Sequence, residues 1–364
     1  MNLRLDFRRR EAWIGRLFAL PALALLILFI VVPLVMGLVW STTDKRLISP
    51  LPTEFVGFAN YTRLLSLSVI RLEPEIDPTT GEPRTDEAGA LVFPRARGVL
   101  RSDPALEDFQ EFTSLDLFGA RYVVIATDPT FIHALLNTFL FVVLIVPGQG
   151  GLALVMALLV NQRLRAISFF RTAYFTPIVT SMAVVAVVWT FMYDPDDGLI
   201  NQFLSALTFG AVDDIPWLIS TDTAMLAIVI LSAWHSAGLQ MVIFLAGLQS
   251  IPEALYEAAR IDGAGAWQQF RRITLPMLRN TTIFVIISTT ILAFRVFTQI
   301  DVMTRGGPEN STVSVIHYAV TQGYREQRIG YASAITIVFF LIVLIIAFIQ
   351  RRVLRSNNEV EPDS

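Results

Sequence analysis

Cysteine is absent from the sequence and lysine occurs once, at Lys45. The first absence removes disulfides, thiolate metal sites and cysteine nucleophiles. The second removes the phosphate-cradling P-loop, which needs a lysine after glycine; Lys45 follows Asp44 with no glycine before it. His133, His235 and His317 stand too far apart to give metal-ligand spacing. Charge is scarce at 16%, and no paired carboxylates or nucleophile–base spacings fall within the apolar stretches. Catalytic chemistry, a cofactor bound by this chain and a nucleic-acid partner are therefore not expected.

Long apolar runs take the place of these features. With 54% hydrophobic residues over 364 positions, the chain has the profile of a polytopic membrane protein. A bilayer core of ~30 Å needs about 20 apolar helical residues. Six segments qualify, at about 17–40, 135–160, 173–192, 224–248, 282–300 and 332–349. The first is too long for a signal-peptide core and lacks a small-residue cleavage site, so it is expected to be retained. Pro21, Pro33, Pro147 and Pro177 lie in or at the mouths of these spans, where neighbouring helices can satisfy the freed carbonyls.

Basic residues set the orientation. One side holds Arg4, Arg8, Arg9, Arg10 and Arg16, then Arg163, Arg165 and Arg171, then Arg260, Arg271, Arg272 and Arg279, then Arg351, Arg352 and Arg355. The opposite segment 194–222 has no Lys or Arg but carries Asp194, Asp196, Asp197, Asp213 and Asp214. By the positive-inside rule both termini and the segment 250–280 face the cytoplasm.

That cytoplasmic segment is the most specific feature. Ser250 is placed to cap a short helix, with Glu253 closing a capping box. Leu255, Ala258 and Ala259 share a face, and Gly263 with Gly265 stops the helix. A second short helix sets Trp267, Phe270 and Ile273 at three-residue spacing, and Pro276 begins the return to the bilayer. Glu257-Ala258-Ala259, Gly263, then Ile273, Leu275 and Pro276 resemble the EAA loop of the membrane subunits of ATP-binding-cassette (ABC) importers at every fixed position. The resemblance implies that the loop seats in a separate ATPase, with Glu257 paired to a basic group and Asp262 beside it. A plainer alternative pairs Glu257 with Arg260 one turn on.

The resemblance extends along nearly the whole chain. Phe55-Val56-Gly57 with Asn60-Tyr61, Asn137-Thr138, Trp189, Asp194, Gly198 through Asn201 and Leu245-Ala246-Gly247-Leu248 look like the carbohydrate-uptake branch. So do Thr304, Gly306-Gly307-Pro308, Thr312 and Gly330-Tyr331-Ala332-Ser333-Ala334. It implies an all-α membrane protein with six transmembrane helices and the type I ABC importer transmembrane-domain fold. It also implies residence in a bacterial or archaeal cytoplasmic (inner) membrane, as a maltose- or glycerol-phosphate-permease-like subunit. Its partners would be a second homologous permease, an ABC ATPase dimer that binds the ATP, an extracytoplasmic solute-binding protein and the lipid bilayer.

The organisation expected is a cytoplasmic N-terminus (1–12), a first span (13–40), an external loop (41–131), a five-span core (132–350) with the loop 250–280, and a cytoplasmic tail (351–364). Residues 66–121 depart from the short family pattern as an external insertion broken by Pro74, Pro78, Pro83, Pro94 and Pro104. Residues 91–93 and 122–125 are candidate short strands.

Polar residues inside spans mark candidate solute contacts, because lipid penalises them. These are Ser232, Trp234, His235, Ser236 and Gln240 in the fourth span, and Thr289, Thr290, Arg295, Thr298 and Gln299 in the fifth. His235 as a packing residue and Arg295 as a snorkelling one are the competing assignments. Resemblance to the maltose branch implies contacts from the spans flanking the loop. At that depth this chain offers Leu292, Ala293 and Val296, so that pocket is not copied. Importers of glycerol phosphate or a polyamine share the architecture; an ion-driven transporter would need charges buried mid-span, where only Arg295 comes near.

Overall fold

The computed structural model describes residues 17–77, 81–86, 89–162, 167–212 and 214–355. Residues 1–12 (with Arg4, Arg8, Arg9 and Arg10), Arg16, Pro78, Glu87, Arg163, Arg165, Asp213 and the tail from 356 lie outside the described residues. The chain divides into two compact units, Met1–Asp128 with Ala319–Phe339, and Pro129–Tyr318 with Phe340–Ser364.

The first unit begins with α1 (Leu17–Ser41), whose most apolar stretch is exposed among the described residues. A π turn at Ile27–Val31 widens the helix just ahead of Pro33, whose ring clashes with the carbonyl four residues back. The C-terminal end of α1 is clamped by the landmark residues of α2 (Ala59–Leu65). Asn60 Nδ2 donates to Ser41 O at 2.8 Å and Thr43 O at 2.9 Å, and the Tyr61 hydroxyl lies 2.6 Å from Ser41 Oγ. These bonds satisfy carbonyls that the helix end leaves open.

The expectation of an all-α chain is corrected by the next segment. Strands β1 (Leu67–Leu72), β2 (Gln110–Leu117) and β3 (Ala120–Ala126) form an antiparallel sheet in the order β1-β3-β2, with helix α3 (Ala96–Ser102) packed on it. Leu72, Val123 and Ile125 meet Ala96 and Leu100 in a small core. Period-two apolar patterning here forms a half-buried sheet. Residues 122–125 are strand, as expected. Residues 91–93 are not, since Leu91 makes only an isolated bridge to Thr85. Phe118 and Gly119, both at positive φ, form the two-residue turn between β2 and β3. Arg121 donates to both Asp116 oxygens, at 2.6 and 2.8 Å, and holds that carboxyl below the usual carboxylate range. The pair is therefore intact at neutral pH and lets go as pH falls through the lowered value.

The second unit opens with α4 (Pro129–Val160), followed by α5 (Ile167–Val179) and α6 (Met182–Met192). The span expected at 173–192 is broken here, with α5 and α6 bent by 100°. Helices α7 (Leu199–Leu207) and α8 (Ala224–Gln249) follow, then α9 (Glu253–Ile261), α10 (Ala266–Met277, with a π turn at Phe270–Thr274), α11 (Arg279–Ala293) and α12 (Thr298–Met303). The span expected at 282–300 is thus also corrected: α11 ends at Ala293 and the chain turns before α12. Ser314 Oγ donates to Val296 O at 2.7 Å and satisfies a carbonyl freed by that break. Helices α13 (Val315–Val320) and α14 (Ile329–Arg355) complete the chain. Among the described residues four helices are long and apolar enough to cross a bilayer, or up to six if each bent pair, α5 with α6 and α10 with α11 (64°), is one span.

Other landmark residues act as staples within this unit. Asn137 Nδ2 donates to Asn310 O and Val313 O, and the Thr138 hydroxyl accepts from Val315 N. The hydroxyls of Thr304 and Thr312 lie 2.7 Å apart. Asn201 Oδ1 accepts from Trp217 Nε1 at 2.8 Å.

Helix α8 is the axis of the second unit, and α5 crosses it at Gly238, where an added Cβ would lie 2.3 Å from Tyr174 O. A Gly238→Val variant is expected to lose about 1–3 kcal/mol through forced separation of the helices. Gly150→Ala, with open space around it, should retain stability; thermal unfolding in detergent compares the two.

Candidate functional site

The loop between α8 and α11 is closed by hydrogen bonds at its turns. Ser250 caps the end of α8, its N–H bonding Ala246 O and its Oγ donating to Gly247 O at 2.7 Å. The capping box expected from Ser250 and Glu253 is corrected: extended Pro252 occupies the N-cap of α9, and Glu253 stands in its first turn. Pro252 has the extended ψ that an N-cap adopts, so the serine is left on the preceding helix.

At the far end of α9, Gly263 has φ +79°. Ala264 N donates to Ala259 O at 2.8 Å and Gly263 N to Arg260 O at 3.1 Å. This 6→1 and 5→2 pair is the Schellman motif, and it explains why glycine stands at that position. Gln268 Oε1 then accepts from Gly265 N at 3.0 Å to start α10. The Tyr256 hydroxyl and Thr274 Oγ1, 2.9 Å apart, tie the two arms together.

Tyr256 and Ile273 pack against a core of α4 and α8 residues that includes Ala157, Val160, Phe244, Leu248 and Ile251. The elbow is thereby seated on the helices it joins. Its other face is open: Glu257, Ala258, Asp262, Gly263, Leu275 and Pro276 are exposed, while Ala259 is half-buried. Among the described residues Glu257 makes no ion pair. The alternative pairing with Arg260 is not formed; Arg260 Nε donates instead to Tyr256 O at 3.3 Å. Ile261, 86% exposed, and Trp267, 70% exposed, flank this surface. Ile261 was not foreseen as a site residue, and its signal was an apolar side chain beside a helix stop.

A second feature lies between α4, α8 and the α11–α12 turn. Ser232, Ser236, Gln240, Thr289 and Arg295 line one cavity of about 250 Å³, joined by Gln149, Thr298 and Gln299. Gln299 Nε2 donates to Ser232 Oγ at 3.0 Å, and Gln240 Nε2 to Thr289 Oγ1 at 3.3 Å. Gln240 Oε1 is buried without a hydrogen bond among the described residues. Leu292, Ala293 and Val296 supply apolar wall.

Trp234, His235 and Thr290 are not part of this lining. Trp234 is half-exposed against Trp189, with ring centroids 5.4 Å apart. His235 Nε2 lies 3.1 Å from Thr180 O, at the break between α5 and α6. This contact bridges the break between α5 and α6. Thr290 Oγ1 donates to Ile286 O and accepts from Gln350 Nε2. Gln149 was missed, although an amide in an apolar helix was the available signal.

Comparison with known proteins agrees with these features. Residues 122–358 match the binding-protein-dependent transport system inner membrane component, and the chain belongs to that family. It is 30% identical over 358 residues to the trehalose/maltose transport system permease protein MalF of Thermococcus litoralis, covering 98% of this chain and 99% of that one. It is 36% identical over 241 residues to the probable ABC transporter permease protein YurN of Bacillus subtilis, covering 65% of this chain and 82% of that one. A solved chain of a bacterial ABC transporter involved in alginate import superposes with TM-score 0.68 at 20% identity, covering 97% of this chain and 99% of that one. The fold is therefore that of a type I ABC importer permease, and the chain is a multi-pass inner-membrane transport component rather than an enzyme.

Because Gly263 holds the loop closed from a left-handed conformation, Gly263→Val is expected to cost roughly 1–2 kcal/mol locally. Hydrogen exchange should show the Ala264 amide losing protection while amides in the middle of α8 keep theirs.

Proposed function

We propose that the chain is one permease subunit of an ATP-driven sugar importer and forms half of the translocation pathway. It would work with a second homologous permease, an ABC ATPase dimer and an extracytoplasmic solute-binding protein. The sugar assignment is supported by the names of relatives, among them the diacetylchitobiose uptake permease NgcF of Streptomyces coelicolor and the lactose permease LacF of Rhizobium radiobacter.

The observation that carries the coupling role is the exposed, unpaired Glu257 on a rigid, internally bonded elbow. Helix α8 enters that elbow and α11 leaves it. The same two helices carry Ser232, Ser236, Gln240 and Thr289. A pull on the elbow by closing ATPases is thus delivered to the helices that hold the polar cavity, switching its access from one side to the other. The cavity, at about 250 Å³, is below the roughly 300–1,000 Å³ of sites that enclose a small ligand. This supports a shared site completed by the partner permease, with Gln149, Gln240, Thr289 and Gln299 offering amide and hydroxyl partners. In this reading the bent pair α5 and α6 is one span and α11 with the turn after it is another, giving six, with both termini and residues 250–280 cytoplasmic.

Glu257→Lys is expected to weaken ATPase co-purification roughly 10- to 100-fold, the loss of one charge-assisted contact. Uptake should be abolished and membrane insertion retained; normal uptake in that variant removes the mechanism. Orientation is checked on a chain with no cysteine background. An impermeant maleimide added outside should label a cysteine at Phe118, 98% exposed, and spare one at Ile261.

A further inference from the structure

Within the first unit, Lys45, Arg46, Arg63 and Arg328 line one small cavity of about 200 Å³ at the outer end of α1. Among the described residues none of these four cations makes an ion pair. The carboxylate in the lining, Asp44, commits one oxygen to the Glu54 N–H at 2.7 Å. Four like charges held together are mutually repulsive unless an anion shares the space.

The backbone enforces their convergence. Gly330 N donates to Lys45 O at 2.8 Å and Leu47 N to Gln327 O at 2.9 Å. A Cβ on Gly330 would lie 2.1 Å from Thr43 O, so the approach of the two segments depends on glycine there. The Arg63 guanidinium lies 5.3 Å from the Tyr331 ring centroid, and the Lys45 ammonium 5.4 Å from that of Trp40.

Apolar residues adjoin this charge. Ile48, Leu51, Phe55 and Phe58 are 72–79% exposed on the connection that follows, and α1 itself presents an uncovered apolar surface. A soluble anion would use the cations and leave these side chains in water. A lipid uses both, since aromatic and basic residues at a span's end are the pattern of the bilayer interface.

We propose that this cavity binds the headgroup phosphate of an anionic phospholipid whose acyl chains lie along α1 and the exposed 48–58 side chains. Four cations against one carboxylate favour an anionic headgroup over a zwitterionic one, which would bring its own cation. The site lies in the outer leaflet under the orientation proposed above. It rests on the chain being a membrane protein and not on its solute or its ATPase.

The test is native mass spectrometry of the full-length protein released from nanodiscs of phosphatidylglycerol and phosphatidylcholine in equal parts. The unaltered chain should retain phosphatidylglycerol preferentially, and a headgroup-directed photoprobe of that lipid should label residues 44–63 or 328–331. Arg46→Gln with Arg328→Gln should weaken retention roughly 25-fold, about fivefold per charge. Arg46→Lys with Arg328→Lys should keep it, separating charge from fold. Glu257→Lys, defective in transport, should also keep it. Equal retention of the two lipids, unchanged retention in the glutamine variant, photolabelling elsewhere or release by excess inorganic phosphate would each overturn the assignment.

Discussion

Helices α8 and α11 come together at Gly247, and the elbow between them depends on how near they approach. A Cβ there would lie 2.6 Å from Thr281 Oγ1 and 2.9 Å from Leu278 Cδ2. With no side chain in the way, Leu278 seats in the same core as Phe244, Leu248 and Ile251. The chain between the two helices is thereby forced into a short out-and-back path. The elbow itself is shaped by an extended proline that starts α9, a left-handed glycine that ends it, and a tyrosine–threonine bond that ties its arms together.

Polar groups within the second unit divide by how they are satisfied. Ser288 and Thr190 bond the carbonyl four residues earlier, whereas Thr290 and Thr138 do so and also accept from Gln350 Nε2 and Val315 N. Gln299 bonds Ser232 and Gln240 bonds Thr289 across helices, Ser232 in addition to the carbonyl of Ile228, and Gln240 Oε1 has no hydrogen bond among the described residues. Ser232, Gln240, Thr289 and Gln299 are set apart by lining the same cavity, each with a partner on another helix.

Much of the elbow was legible because each fixed residue has a local reason that spacing reveals. Glycine at a helix stop and apolar residues every third position are patterns of the backbone itself. Ser250 misled because the serine-to-glutamate spacing of a capping box is satisfied by chance where Pro252 takes the cap. The break in the fifth span was hidden by Phe294, Val296 and Phe297, whose apolar character continues the run; Arg295 alone marked it. His235 and Trp234 sit beside Ser236 in sequence, yet helical rotation points them at α5 and α6, which pattern reading could not place. Strand β1 was obscured by the prolines that follow it, and its pairing with β3 spans more than fifty residues. Gln149 was overlooked beside Pro147 and Gly148, where a kink was the more obvious reading.

The bonds from Asn60 to the end of α1 have a mechanical consequence. At 1.5 Å per residue, the 25 residues of α1 reach about 37 Å, longer than a ~30 Å hydrocarbon layer. Pinned beside its C-terminal end through Ser41 and Thr43, α1 has a fixed pivot there. A thinner bilayer can be met by leaning the helix about that pivot.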